Sequence, residues 1–163
     1  MKRSIYQRVL NDREIEVNAK LVDRKYSYFS VMRVNRGVQH TRNVLTDYRI
    51  YAKLVPYIDQ AEFEEGTQTL TLKGGIWKFM LSSRIRFEER GKNWIHYRVI
   101  SGHFSGLEGN FYFESLSDKG TLVYFEGSQI GDRWPPQFVI ERGAEIVFGF
   151  TARRMRNYVE SKN

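Results

Sequence analysis

The chain has 163 residues, enough for one domain that buries about 70% of its unfolded surface. Hydrophobic residues make up 41% and aromatics 15%, with only 3 Pro, which excludes a disordered or low-complexity chain. The 26 Lys and Arg against 19 Asp and Glu leave a net charge of +7, compatible with nucleic acid, anionic lipid or an acidic partner and diagnostic of none. With no cysteine, a disulfide framework, a thiolate nucleophile, a thiolate zinc site and a cysteine-held iron–sulfur cluster are all excluded.

The opening MKRSIYQRVLNDRE is basic but has no apolar centre, so it does not read as a signal peptide. No stretch nears the ~18 apolar residues of a membrane span. A soluble, cytoplasmic protein is expected, peripheral to a membrane at most; a periplasmic location stays open if a leader has been removed. Ile5 to Leu10 suits a short helical turn, and Ile15, Val17, Ala19 and Leu21 alternate with polar residues as in a half-buried strand. Residues 1–24 are therefore expected to form an N-terminal extension with an extra strand, ahead of a single domain over 25–163.

Tyr26 to Val34 is rich in aromatic and β-branched residues and predicts a strand, broken at Asn35-Arg36-Gly37. From Val38 to about Ile58 the apolar residues take helical spacing, and Asp47 and Pro56 divide the stretch into two short helices. Strands are then predicted over 60–65, 67–72, 77–90, 94–101, 104–116 and 121–129, separated by turns of a few residues, as in an antiparallel meander. After Pro135-Pro136, Ile140, Ala144, Val147–Phe148, Thr151, Met155 and Val159 recur three or four apart. They mark one face of a helix running to about Glu160, with the prolines in or just before its first turn. The result is an α+β domain in which a curved antiparallel sheet of about six to seven strands wraps a long C-terminal helix. Gaps between sheet and helix are where an apolar ligand would bind.

Two blocks carry a family resemblance. Val44 to Pro56, VLTDYRIYAKLVP, resembles the Asp–aromatic–…–Pro signature of the START-related helix-grip (SRPBCC) superfamily. Ser101 to Gly127, SGHFSGLEGNFYFESLSDKGTLVYFEG, resembles its G-x-F-x-x-x-x-G-x-aromatic-x-F … G-T-x-V-x-Y/F pattern. With the long helix following, the match covers roughly residues 26–160 and is most similar to the polyketide cyclase and coenzyme Q-binding branch. It implies a helix-grip fold and a cavity for a hydrophobic small molecule such as a lipid, an isoprenoid quinone or a polyketide.

On the sheet, Phe79, Leu81, Tyr97, Phe111, Phe113, Val123 and Phe125 are the candidate lining residues. On the helix they are Val147, Phe148 and Met155. Arg42 stands where the family often carries a large apolar residue. Arg42 and Arg98 are the candidate polar anchors, each able to hold a head group if turned inward. Their simpler alternative is a charge pair on the solvent face, as for Arg84 and Arg86 with Glu88, Glu89 and Glu114. His96 and His103 are either acid–base groups at the cavity mouth or, more simply, sheet-surface residues. No pair among His40, His96 and His103 has metal-ligand spacing, so neither a metal nor a cofactor is expected.

Arg153, Arg154 and Arg156 oppose the helix dipole and offer a transient docking patch for an anionic membrane. Basic residues are interspersed with acidic ones, so nucleic acid is not an expected partner. Binding or transport of a hydrophobic molecule is thus the first expectation. A cyclase or aromatase acting in the same cavity is the alternative, which an ordered polar pair deep in the cavity would favour. A protein-interaction module is the third, to be marked by a filled interior and an exposed apolar patch.

Overall fold

The structure, a computed structural model, describes residues 2–76, 79–131 and 137–163. Helix α1 (Lys2–Asn11) precedes the hairpin of β1 (Glu16–Val22) and β2 (Lys25–Val34). Helix α2 (Val38–Leu45) is followed by a 3-10 turn (Tyr48–Ile50) that runs into α3 (Tyr51–Leu54). Six strands follow in sequence: β3 (Ile58–Glu64), β4 (Thr69–Ile76), β5 (Phe79–Gly91), β6 (Trp94–Gly102), β7 (Glu108–Ser115) and β8 (Thr121–Ile130). Helix α4 (Gln137–Ser161) closes the chain; the prolines expected at its start, Pro135 and Pro136, lie outside the described residues.

The strands form one antiparallel sheet in the order β1-β2-β8-β7-β6-β5-β4-β3. It has eight strands rather than six or seven because β1 pairs along β2 from Glu16↔Val31 to Val22↔Lys25. The strand expected from Phe104 begins only at Glu108. Positive φ at Gly102, Phe104 and Gly106 turns the chain there, and Gly106 N–H donates to Val99 O at 2.9 Å.

Strand β2 alternates cleanly, with Tyr26, Tyr28, Ser30, Met32 and Val34 buried on the concave face. Helix α4 lies over that face against β1 and β2, burying Ile140, Ala152, Met155 and Val159 at three-to-four spacing. The Val44–Pro56 block secures the short helices. Tyr48 stacks on Phe87 with ring centroids 3.8 Å apart, and the Tyr51 hydroxyl donates to Leu45 O at 2.9 Å.

The C-terminal end of α4 is pinned by polar contacts. Glu160 accepts from Asn35 N–H at 2.9 Å and pairs with Arg13, Arg36 donates to Glu160 O at 2.9 Å, and Arg156 donates to Arg13 O at 2.7 Å. Burial alone would raise the Glu160 carboxyl; the Asn35 N–H and the Arg13 guanidinium outweigh it and hold the group below the usual carboxylate range.

The convex face is unusually aromatic at its centre. Phe29, Tyr124, Tyr112 and Trp94 form a ladder across β2, β8, β7 and β6, with successive centroids 6.2, 6.1 and 5.9 Å apart. Beside it Asn110 accepts from Trp94 Nε1 at 2.7 Å and donates to Glu126 at 2.6 Å.

Candidate functional site

Between the concave face and α4 lies a cavity of about 500 Å³, within the range of small-molecule sites. Of the expected lining residues, Leu81 of β5, Tyr97 of β6 and Phe111 of β7 border it, as do Val123 and Phe125 of β8. From α4, Val147, Phe148 and Met155 face it. Phe113 does not border it: it is buried one step further along β7, opposite Val123, at the end of the sheet that α2 covers. The side chain of Phe79, like Trp77, lies outside the described residues.

Neither arginine reaches the cavity. Arg42, on α2, pairs with Glu89. Arg98 is exposed on the convex face, because β6 buries Ile95, Tyr97 and Val99 and so turns residue 98 to solvent between Arg86 and Glu108. His96 sits on that outer face too, with Nδ1 3.2 Å from Asn110 Oδ1 and Nε2 3.5 Å from Glu108. His103 lies at the cavity mouth, where its exposed ring accepts from Ser82 N–H at 3.1 Å. Two other exposed aromatics share the mouth, Tyr57 and Phe104, both with left-handed backbone (φ 67° and 62°).

The floor is built on one row of the sheet. The register aligns Tyr28 of β2 with Gly127 of β8, Gly127 with Gly109 of β7, and Gly109 with Tyr97 of β6. Lacking side chains, the glycines leave a trough in which the two tyrosines lie toward each other and join hydroxyl to hydroxyl. A Cβ at Gly127 would stand 2.6 Å from Tyr28 Cζ, and one at Gly109 would stand 2.5 Å from the Tyr97 hydroxyl. Tyr97 also donates to Glu126 O at 2.7 Å. Phe125 stacks on Tyr97 at 5.2 Å and contacts Tyr28 at 5.4 Å, while Phe148 descends from α4 to 4.8 Å from Tyr28. Burial pushes both tyrosine hydroxyls well above their ordinary pKa, so both stay protonated and neutral at physiological pH.

Among the described residues bordering the cavity there is no Asp, Glu, Lys or Arg. No group of three or more His, Cys, Asp or Glu placed to hold a metal occurs among the described residues. The buried polar side chains bordering the interior carry hydroxyls: the tyrosine pair, Tyr26 and Ser30 of β2, Tyr51 of α3, and Thr151 of α4. Tyr28 and Met32 were missed as site residues because β2 carries apolar side chains on both parities, so its inward face is not apparent from periodicity alone. Thr151 lay on the predicted helix face, and nothing in its spacing marked it as polar lining.

Arg153 and Arg154 are exposed near the end of α4, and Arg154 covers the Phe150 ring at 4.4 Å. Arg156 is half-buried and directed at Arg13 O. Among the described residues no helix is long and apolar enough to cross a membrane.

This arrangement is that of the START-like helix-grip fold. The chain superposes on a START superfamily protein from Mycobacterium smegmatis with a TM-score of 0.68 at 16% identity, over 82% of this chain and 97% of that one. A STAR-related lipid transfer protein from Xanthomonas axonopodis matches with a TM-score of 0.67 at 13% identity, over 90% and 94%. The Zhui aromatase/cyclase from Streptomyces sp. R1128 matches with a TM-score of 0.63 at 15% identity, over 83% and 92%. No family model matches the sequence, and no curated protein matches it significantly.

Proposed function

We propose that this protein binds and carries a hydrophobic small molecule, of lipid, isoprenoid quinone or polyketide-like class, in the cavity between the sheet and α4. The observation that carries this is the cavity itself: about 500 Å³ bounded almost wholly by apolar and aromatic side chains, with no charged residue among those described at its wall. Transfer of apolar surface from water supplies roughly 25 cal/mol per Å². An apolar ligand burying about 300 Å² would thus gain on the order of 7 kcal/mol before the costs of association. Tyr51 and Val55 border the cavity, so α3 and the segment after it form part of its wall.

The same cavity offers less to catalysis. An ordered polar pair is present deep inside, but both hydroxyls hold their protons far above neutral pH, and a general acid–base works best with a pKa near the operating pH. His103 is exposed at the mouth, away from the tyrosine pair. A subsidiary part of the proposal is contact with an anionic membrane through Arg153 and Arg154. Ile146 and Phe150 are exposed on the same face of α4, and an apolar stripe beside two cations suits a lipid surface.

The test is native mass spectrometry of the protein isolated from its own host, followed by organic extraction, alongside Ala144→Phe, which fills the cavity. A discrete apolar molecule accompanying the wild type and missing from the variant is the expected result. A bare mass for both, with no uptake of naphthalene by the wild type, would remove the proposal.

A further inference from the structure

The tyrosine pair at the cavity floor has a fixed polarity. A backbone carbonyl can only accept, so at 2.7 Å the single Tyr97 proton is committed to Glu126 O. The bond between Tyr97 and Tyr28 must then take its proton from Tyr28. Both protons are used, and the row ends on the Tyr28 oxygen, whose remaining lone pairs can accept a bond but whose hydrogen cannot be offered. Across the cavity wall, Thr151 is 8% exposed, and its Oγ1 is fully buried without a hydrogen-bond partner among the described residues. A buried hydroxyl without a partner is uncommon and costs stability unless something completes it.

Resting on the carrier proposal above, we infer that the ligand is an apolar alcohol or phenol. Its hydroxyl donates to the Tyr28 oxygen, and a χ1 rotation that turns the Thr151 Oγ1 out to the cavity lets it supply or receive a second bond. The alternatives fit less well. A quinone or ketone presents acceptors alone, and an acceptor placed at the Tyr28 oxygen would meet lone pairs rather than a proton. A carboxylate would enter a cavity with no described cation at its wall. A plain hydrocarbon would leave Thr151 unpartnered.

Four compounds of similar shape separate these cases by calorimetric titration: naphthalene, 2-naphthol, 2-methoxynaphthalene and 1,4-naphthoquinone. The wild type should bind 2-naphthol about five- to tenfold tighter than 2-methoxynaphthalene, as one buried hydrogen bond allows. Tyr28→Phe should bring the two affinities together. Thr151→Val, nearly isosteric and so expected to fold, should raise the melting temperature while weakening 2-naphthol, a pairing of effects that a merely structural residue would not produce. Equal binding of all four compounds by the wild type overturns the alcohol preference and leaves the carrier proposal standing. An unchanged naphthol preference in both variants overturns the assignment to Tyr28 and Thr151. Failure of naphthalene and its three relatives to bind at all removes the carrier proposal together with this inference.

Discussion

Tyr28 and Tyr97, on strands separated by two others, meet hydroxyl to hydroxyl because every residue between them in that row of the sheet is glycine. With strands about 4.8 Å apart, the row spans roughly 14 Å, which two tyrosines laid end to end can bridge. Gly127→Ala would push a methyl group into both hydroxyls. It should destabilise the protein by about 1–3 kcal/mol, the usual cost of overpacking a well-filled site. Chemical denaturation of the two proteins under the same conditions measures it; an unchanged midpoint would mean that the row does not set the packing.

The opposite sign is expected at Gly143, inside α4. A Cβ there meets nothing within 4 Å. Gly143→Ala should stabilise by about 0.5–1 kcal/mol through helix propensity alone. Thermal melts with and without ligand then show whether the added methyl also narrows the cavity.

Alkaline pH should unfold the protein in a way that reports on the core. Burial raises Tyr26, Tyr28, Tyr48, Tyr51 and Tyr97 above their usual pKa, so the native state retains protons that the unfolded chain releases above about pH 10. Their contribution is complete below that pH and is lost as pH climbs toward the folded values. The tyrosinate absorbance of these five should therefore rise together with the loss of circular dichroism. A full tyrosine titration of the still-folded protein would contradict their burial.

Membrane contact through α4 is open to a direct measurement. Ile146→Glu combined with Phe150→Glu should reduce sedimentation with vesicles of phosphatidylcholine and phosphatidylglycerol at least several-fold, with naphthalene binding unchanged, because neither residue borders the cavity. Vesicles of phosphatidylcholine alone should bind weakly whichever protein is used. Equal binding of wild type and variant to the anionic vesicles would exclude this face of α4.

Much of the architecture was legible because its signals are local. The three-to-four spacing from Ile140 to Val159 marks the buried face of α4, and the turns after β3, β5 and β7 punctuate the meander. Harder to see was what depends on distant partners. Arg42 is held away from the cavity in an ion pair with Glu89, a residue 47 positions away, and the short loop ahead of Glu108 rests on backbone angles that composition does not reveal. The tyrosine pair joins residues 69 apart in sequence, and only the register shows that the glycines of the Ser101–Gly127 block lie beneath it.

The aromatic ladder on the convex face changes what keeps the central strands aligned. In an ordinary half-exposed sheet, a slip of one residue is rejected because it turns the apolar set toward water. Here Tyr28-Phe29, Phe111-Tyr112-Phe113 and Tyr124-Phe125 place rings on both faces, so a slipped pairing would still match ring with ring. Discrimination falls to the glycines. Only when Gly109 and Gly127 stand beneath the tyrosines is there room for the side chains, and a slip would set Glu126 or Asn110 there instead. Two residues without side chains thus act as a proofreading device for the assembly of four strands.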